Sequence, residues 1–214
     1  MRWLVGASVH GCWLGCYEAE KQRLCVRLLQ PGMVAYDLGA NVGFYSLLFS
    51  RLVKPEGSVH AFEPLPRNCS VLKRHLALNR LENVVVYPIA VAEKSGTACF
   101  DTGPNPSMGH LVAVGGTLKV PTIALDEFVY AYNKPAPNIV KMDIEGGEIK
   151  ALAGMRRLLR EKRPWLLIAL HGEQARLECT AMLTSVGYRL TDLLGGSNKG
   201  VPETDEIIAL PDEI

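Results

Sequence analysis

No stretch of this chain stays apolar for the ~18 residues that a membrane-spanning helix needs, although its mean hydropathy is slightly positive at +0.11. A membrane span is therefore not expected. Charge of one sign is also missing: 23 Lys and Arg stand against 22 Asp and Glu over 214 residues, a net +1. A nucleic-acid stripe or an acidic tail would need a clear surplus. Lys73, Arg74, His75 and Arg80 form a small basic cluster, but it falls on a predicted amphipathic helix and reads as a solvated face. C-x-x-C pairs are absent too. The six cysteines (Cys12, Cys16, Cys25, Cys69, Cys99 and Cys179) are scattered, and Cys12 and Cys16 have no second pair at zinc spacing. They read as reduced, mostly buried thiols of a cytoplasmic protein. Repeats and low-complexity segments are lacking. The apolar beginning, Met1 to Val9, is cut short by His10 with no A-x-A site after it, so no secretory leader is expected.

What is present is an alternation of strand and helix signals. Met33–Leu38 reads as a buried strand and Phe44–Leu52 as a helix. Ser58–Glu63 is a second strand, Pro66–Asn79 a helix and Val84–Tyr87 a third strand. Ile89 to Thr122 looks extended and looped. Ile139–Asp143 is a fourth strand, Gly147–Arg160 one helix, Trp165–Leu170 a fifth strand and Glu173–Val186 a helix. Tyr188–Thr191 and Glu206–Leu210 close the series. Such alternation implies an α/β fold, a mostly parallel sheet with helices on both faces. Residues 31–214 are expected to make one domain, and residues 1–30 a packing arm or a lid over the substrate.

The turn after the first strand is the most informative segment, Asp37-Leu-Gly39-Ala-Asn41-Val-Gly43-Phe-Tyr-Ser46. Its glycines let backbone approach a ligand, and the helix behind offers free N–H groups to an anion. Glu63 follows about 20 residues later at the end of the next strand, where an acid can accept bonds from ribose hydroxyls. A dinucleotide needs G-x-G-x-x-G, and the third glycine position here holds Phe44 or Tyr45. A nucleoside with an amino-acid tail fits better. The tail carboxylate would meet the helix N-terminus and Asp37 the ammonium group, which describes S-adenosyl-L-methionine. Gly39, Asn41, Gly43 and Ser46 would shape that pocket beside Glu63 and Pro64, with Ala90 and Val91 flanking adenine.

Asp143-Ile-Glu145-Gly-Gly-Glu148 is the second centre. Asp143, ending a strand, is expected near both cofactor and acceptor. Its carboxylate and that of Glu145 admit a base, a divalent ion or a structural role; a positional, electrostatic role is favoured, and no metal ligand is assigned. His171 ends another strand and is the general-base candidate. Ser107 and His110 sit in a segment read as a loop that covers the acceptor.

Four segments in this order, Asp37–Gly43, Ala61-Phe-Glu-Pro-Leu-Pro66, Pro88-Ile-Ala-Val91 and Lys141-Met-Asp-Ile-Glu-Gly-Gly-Glu148, make residues 12 to 172 resemble the FkbM-type methyltransferases. The resemblance implies the Rossmann-like class I methyltransferase fold, seven strands with the last antiparallel. It also implies S-adenosylmethionine-dependent methyl transfer, mostly to oxygen. In the family an acid often stands two residues before the histidine, where this chain has Ala169. A small-molecule or glycan acceptor is expected, with no nucleic-acid partner; homo-oligomers stay open. The competing readings are a non-catalytic S-adenosylmethionine-binding protein and a nicotinamide-dependent oxidoreductase.

Overall fold

The computed structural model of the chain describes residues 1–103, 109–112, 115–193 and 204–212. In chain order the elements are α1 (His10–Leu14), α2 (Ala19–Leu28), β1 (Val34–Leu38), α3 (Phe44–Val53), β2 (Ser58–Phe62), α4 (Pro66–Asn79), β3 (Val84–Tyr87), β4 (Ala90–Val91), β5 (Gly96–Asp101), β6 (His110–Val112), β7 (Leu118–Ile123), α5 (Leu125–Tyr130), β8 (Ile139–Met142), α6 (Glu148–Ala153), α7 (Arg156–Glu161), β9 (Trp165–Ala169), α8 (Glu173–Ser185), β10 (Tyr188–Thr191) and β11 (Glu206–Pro211). The apolar strands bury both faces because helices cover each side, as parallel sheets require.

Seven strands form the main sheet in the order β10-β11-β9-β8-β1-β2-β3. All neighbours are parallel except β11, which runs antiparallel to both β10 and β9. The chain order reverses between β1 and β8, and the loops leaving those strands part to open a crevice. The core beneath it joins Tyr36, Leu38, Phe62 and Met142 to Leu152, Met155 and Ile168.

Three regions depart from the sequence reading. The stretch read as extended and looped builds a separate four-stranded sheet, β4-β7-β5-β6, in which His110 opens a strand by pairing with Asp101. The helix expected over 147–160 is two helices. A Cβ on Gly154 would lie 2.2 Å from the Ala92 carbonyl oxygen, so bare backbone is needed there. The second helix restarts under the carboxylate of Asp126, which accepts from the N–H groups of Arg157 at 2.9 Å and Leu158 at 2.8 Å. The basic cluster on α4 is split as well: Lys73, Arg74 and Arg80 face solvent, while His75 is fully buried. The Trp3 ring stacks on it at 3.9 Å. Its Nδ1 donates to the Val42 carbonyl at 2.7 Å and its Nε2 accepts the Leu4 N–H at 3.1 Å.

Contacts of this kind fasten the first thirty residues to the sheet. Leu24, Cys25 and Leu29 pack on Tyr45 and Phe49. Lys21 is paired with Glu18 at 2.9 Å and Glu206 at 2.6 Å, and Glu18 accepts from the Tyr45 hydroxyl at 2.5 Å. All six cysteines are unpaired, and burial pushes the thiols of Cys25 and Cys179 up to about 12. No helix among the described residues is long and apolar enough to cross a membrane.

A lysine inside the buried strand β8 completes the frame. Lys141 is 4% exposed and lies 3.3 Å from Asp37, which is wholly buried. Removing one partner of a buried ion pair leaves an uncompensated charge and costs about 3–5 kcal/mol. Lys141→Met is therefore expected to lower the thermal midpoint by roughly 6–20 °C for a chain of this size; a shift within 2 °C in calorimetry would show that the pair adds nothing to stability.

Candidate active site

The crevice at the carboxyl ends of β1, β2 and β8 is a cavity of about 1020 Å³, counting its mouth open to solvent. Its floor is the turn Gly39 to Val42 with Phe44 and Tyr45 at the start of α3. One side is Glu63, Pro64 and Leu65 after β2, with Ala90 and Val91 of β4. The other is Lys141, Asp143, Ile144, Glu145 and Gly147. Ser8, Cys12 and Tyr17 from the N-terminal segment and Phe100, Gly109 and Leu111 from the second sheet close over it.

The floor is held very tightly. Gly39 has φ +72°, and a Cβ on it would lie 1.9 Å from the Asp143 carbonyl oxygen. Only glycine lets the loops leaving β1 and β8 pass so closely. Asn41 takes φ +50°, tolerable for asparagine. The N–H groups of the first turn of α3 have no partner within the helix, and this end of α3 faces the cavity.

Glu63 is 4% exposed and already partly engaged. One carboxylate oxygen accepts the Asn41 N–H at 2.8 Å, the other the Leu65 N–H at 2.9 Å and the Asn68 amide at 3.3 Å. Burial raises its pKa, and those donors pull it back. A carboxylate has about four acceptor positions, so with three donors engaged about one remains for a ligand.

Asp37, Ser46 and Gly43 stand behind the cavity wall. Asp37 meets Lys141 rather than the open space, and its second oxygen accepts from Ser46 Oγ at 2.6 Å. Gly43 faces Leu72 of α4. The Lys141 ammonium donates to the Gly39 carbonyl at 3.1 Å and lies 3.8 Å from Asp143. Burial alone would lower its pKa; Asp37 and Asp143 outweigh that and raise it.

Asp143, Glu145 and His171 come together at the acidic end. His171 Nε2 lies 3.7 Å from Asp143 Oδ1 and 3.5 Å from Glu145 Oε2. Its Nδ1 bonds Glu148 Oε1 at 2.9 Å, and that oxygen also accepts the Gly146 N–H at 3.0 Å. Glu148 is fully buried. It thus orients the imidazole from another element. The bond to Glu148, opposed by burial and helped by Glu145 and Asp143, raises the His171 pKa to about 9. For Glu145 burial raises the pKa, while His171 lowers it. His110, half-buried on β6, is near enough to act on the Glu145 charge. Ser107 lies outside the described residues.

Lys141 and Glu148 carry weight that the sequence reading did not give them. A lysine within a buried strand was the available signal for the first, since lysines are almost never buried unpaired. Ser8, Cys12 and Tyr17 lie in the segment read as a packing arm or a lid, though no local signal singled out these three residues.

The sheet order, its antiparallel β11 and the crevice at the β1–β8 reversal define a class I, Rossmann-like methyltransferase fold. The family described as Methyltransferase FkbM domain matches residues 37–195, and the chain belongs to it. Among curated relatives, the hexuronic acid methyltransferase AglP of Haloferax volcanii is 28% identical over 170 residues, covering 78% of this chain and 68% of that protein. Among solved structures, a methyltransferase FkbM from Methylobacillus flagellatus aligns with TM-score 0.61 at 19% identity, over 98% of this chain and 56% of its own length. The chain thus spans little more than half of that structure. Fibrillarin from Aeropyrum pernix, solved with S-adenosyl-L-methionine, aligns with TM-score 0.53 at 14% identity over 90% and 75% of the two chains.

In the unliganded protein, the His171 ring signal in NMR is expected to titrate near 9. Because this lies above the ordinary 6.5 of the unfolded chain, the associated stabilisation is full below pH 6.5 and is lost as pH rises through 9. Glu148→Gln should bring the titration back toward 6.5 and flatten that slope; an unmoved midpoint would remove Glu148 from the orienting role.

Proposed function

We propose that this chain transfers a methyl group from S-adenosyl-L-methionine to a hydroxyl oxygen of a sugar, glycan or small natural product. The carrying observation is the single cavity that joins the Gly39–Val42 turn and Glu63 to Asp143 and Glu145, with His171 standing behind these two acids at 3.7 and 3.5 Å. Membership of the FkbM family supports it, as does the likeness in fold to a protein solved with this cofactor. AglP acts on a hexuronic acid by name, a compound whose only nucleophiles are oxygens.

The residues present fit the cofactor. In the floor turn the Gly39 and Ala40 N–H groups are bonded to the Phe62 carbonyl and that of Asn41 to Glu63, so the N–H groups at the head of α3 are the ones offered to a carboxylate. Glu63 keeps about one acceptor position for a ribose hydroxyl. Pro64, Ala90 and Val91 supply an apolar wall for a base. When bound, S-adenosyl-L-methionine supplies a methyl carbon already made electrophilic by its sulfonium. Alignment and exclusion of water are then the protein's main tasks. Asp143, Glu145 and His171 provide the polar edge against which an acceptor hydroxyl is aligned. Tyr17, Phe100 and Leu111 screen it from solvent.

Calorimetric titration with S-adenosyl-L-methionine, S-adenosylhomocysteine and NAD in parallel is expected to show micromolar binding of the first two and none of NAD. NAD binding alone would favour an oxidoreductase; tight cofactor binding without turnover across sugar and polyol acceptors would favour a non-catalytic binder. Hydrogen bonds to a charged group contribute about 1.5–3 kcal/mol. Glu63→Ala should therefore weaken S-adenosylhomocysteine by roughly ten- to a hundredfold, and unchanged affinity would take Glu63 out of the ribose role.

A further inference from the structure

We propose that Asp143, Glu145 and His171 hold a divalent cation at the acceptor end of the cavity. The inference deepens the methyl-transfer reading and rests on it for its chemical purpose. Each residue presents one ligand atom, and the three atoms lie within 4.8 Å of one another. They come from three separate places: the end of β8, the turn after it and the end of β9. Asp143 and Glu145 both line the cavity, so an ion among them would face bound acceptor.

Spacing is the first argument. His171 Nε2 stands 3.7 Å and 3.5 Å from its two oxygen neighbours. Those gaps exceed the 2.7–3.2 Å typical of N–H···O bonds. Neighbouring ligands around a small divalent ion lie about 3 Å apart when each is about 2.1 Å from it. The two histidine gaps exceed that spacing by about 0.7 and 0.5 Å, so closure by roughly half an ångström or more would complete the site.

The second argument is the far side of the imidazole. Metal-bound histidines commonly donate their other ring N–H to a carboxylate or carbonyl, which fixes the ring. Here Nδ1 is bonded to Glu148 Oε1 at 2.9 Å, on a fully buried glutamate anchored by the Gly146 N–H. Nε2 is thereby turned toward the two carboxylates. On Asp143 the other oxygen faces Lys141 at 3.8 Å, leaving Oδ1 as the ligand atom.

Two carboxylate oxygens with one imidazole nitrogen suit an oxygen-preferring transition ion such as Mn²⁺ better than Ca²⁺, which takes oxygen ligands only. Three protein ligands leave coordination positions open. An acceptor carrying two neighbouring oxygens would fill two of them by chelation. Its reacting hydroxyl, once coordinated, loses its proton to water. That oxygen then forms the new bond to the methyl carbon as the carbon–sulfur bond breaks, the bonding pair returning to sulfur to give a neutral thioether.

The test uses the full chain, stripped with EDTA and then freed of chelator. Mn²⁺ is titrated by calorimetry and by electron paramagnetic resonance, and S-adenosylhomocysteine is titrated into the same samples. One Mn²⁺ per chain is expected, weakened at least tenfold in Asp143→Asn, Glu145→Gln and His171→Ala, with thermal melts confirming which variants fold. Glu145→Gln, on a half-exposed turn, is the variant expected to leave folding intact. Wild-type protein that binds S-adenosylhomocysteine but no Mn²⁺ overturns the metal site and leaves the methyltransferase reading standing. Mn²⁺ bound and lost as expected, without S-adenosylhomocysteine binding, supports the site and overturns that reading. Mn²⁺ binding that the folded variants retain is adventitious and overturns the site.

Discussion

The buried ammonium of Lys141 is the interaction on which the cavity depends. It sits where β1 and β8 diverge, against Asp37 on one side and the Gly39 carbonyl on another, with Asp143 3.8 Å away. A lone buried cation would be forced to shed its proton. Asp37 and Asp143 keep it charged, and the Tyr45 ring lies 5.5 Å from it. In return it neutralises an aspartate that has no access to water. One charge therefore ties the turn that floors the cavity to the acid at its far end. The close pass of Gly39 over the Asp143 carbonyl is the steric side of the same constraint. A side chain at Gly39 would push the two loops apart and take the lysine's partners out of reach.

Asp143 is then held from two directions, by Lys141 on Oδ2 and by the field of His171 on Oδ1. The histidine is fixed by Glu148, and Glu148 by the turn at Gly146. The chain of contacts runs from β1 to β9 without relying on any long exposed side chain. An imidazole with a pKa near 9 is charged at neutral pH and occupies, in the unliganded protein, the role of the cation that three neighbouring acids require.

The main sheet was legible because its strands are short apolar runs separated by amphipathic helices, and periodicity reports such elements directly. Pro66–Asn79 and Val84–Tyr87 were read to the residue. The second sheet was not legible. Its strands are two to six residues long, and β4 and β7 meet across about thirty residues of chain, which leaves no local pattern. The break at Gly154 was hidden for a related reason: the cause is the Ala92 carbonyl, more than sixty residues away. At the site, Glu63, Asp143, Glu145 and His171 could be placed because strand ends converge in this topology. The split between Asp37, turned inward to Lys141, and Glu63, turned to the cavity, could not. Both are acids ending neighbouring strands, and only the buried lysine on β8 tells them apart.

The cavity therefore has two parts of different origin. Its floor and acidic end come from segments within the family match at 37–195. Ser8, Cys12 and Tyr17 come from before it. They are held there by contacts that engage parts remote from the cavity, Lys21 with Glu206 and Trp3 with His75. His75 in turn is bonded to the Val42 carbonyl of the floor turn. Seating of the N-terminal segment and shape of the floor are thus one linked arrangement. A change in the covering residues that preserved those anchors would alter what the cavity admits while leaving the floor unchanged.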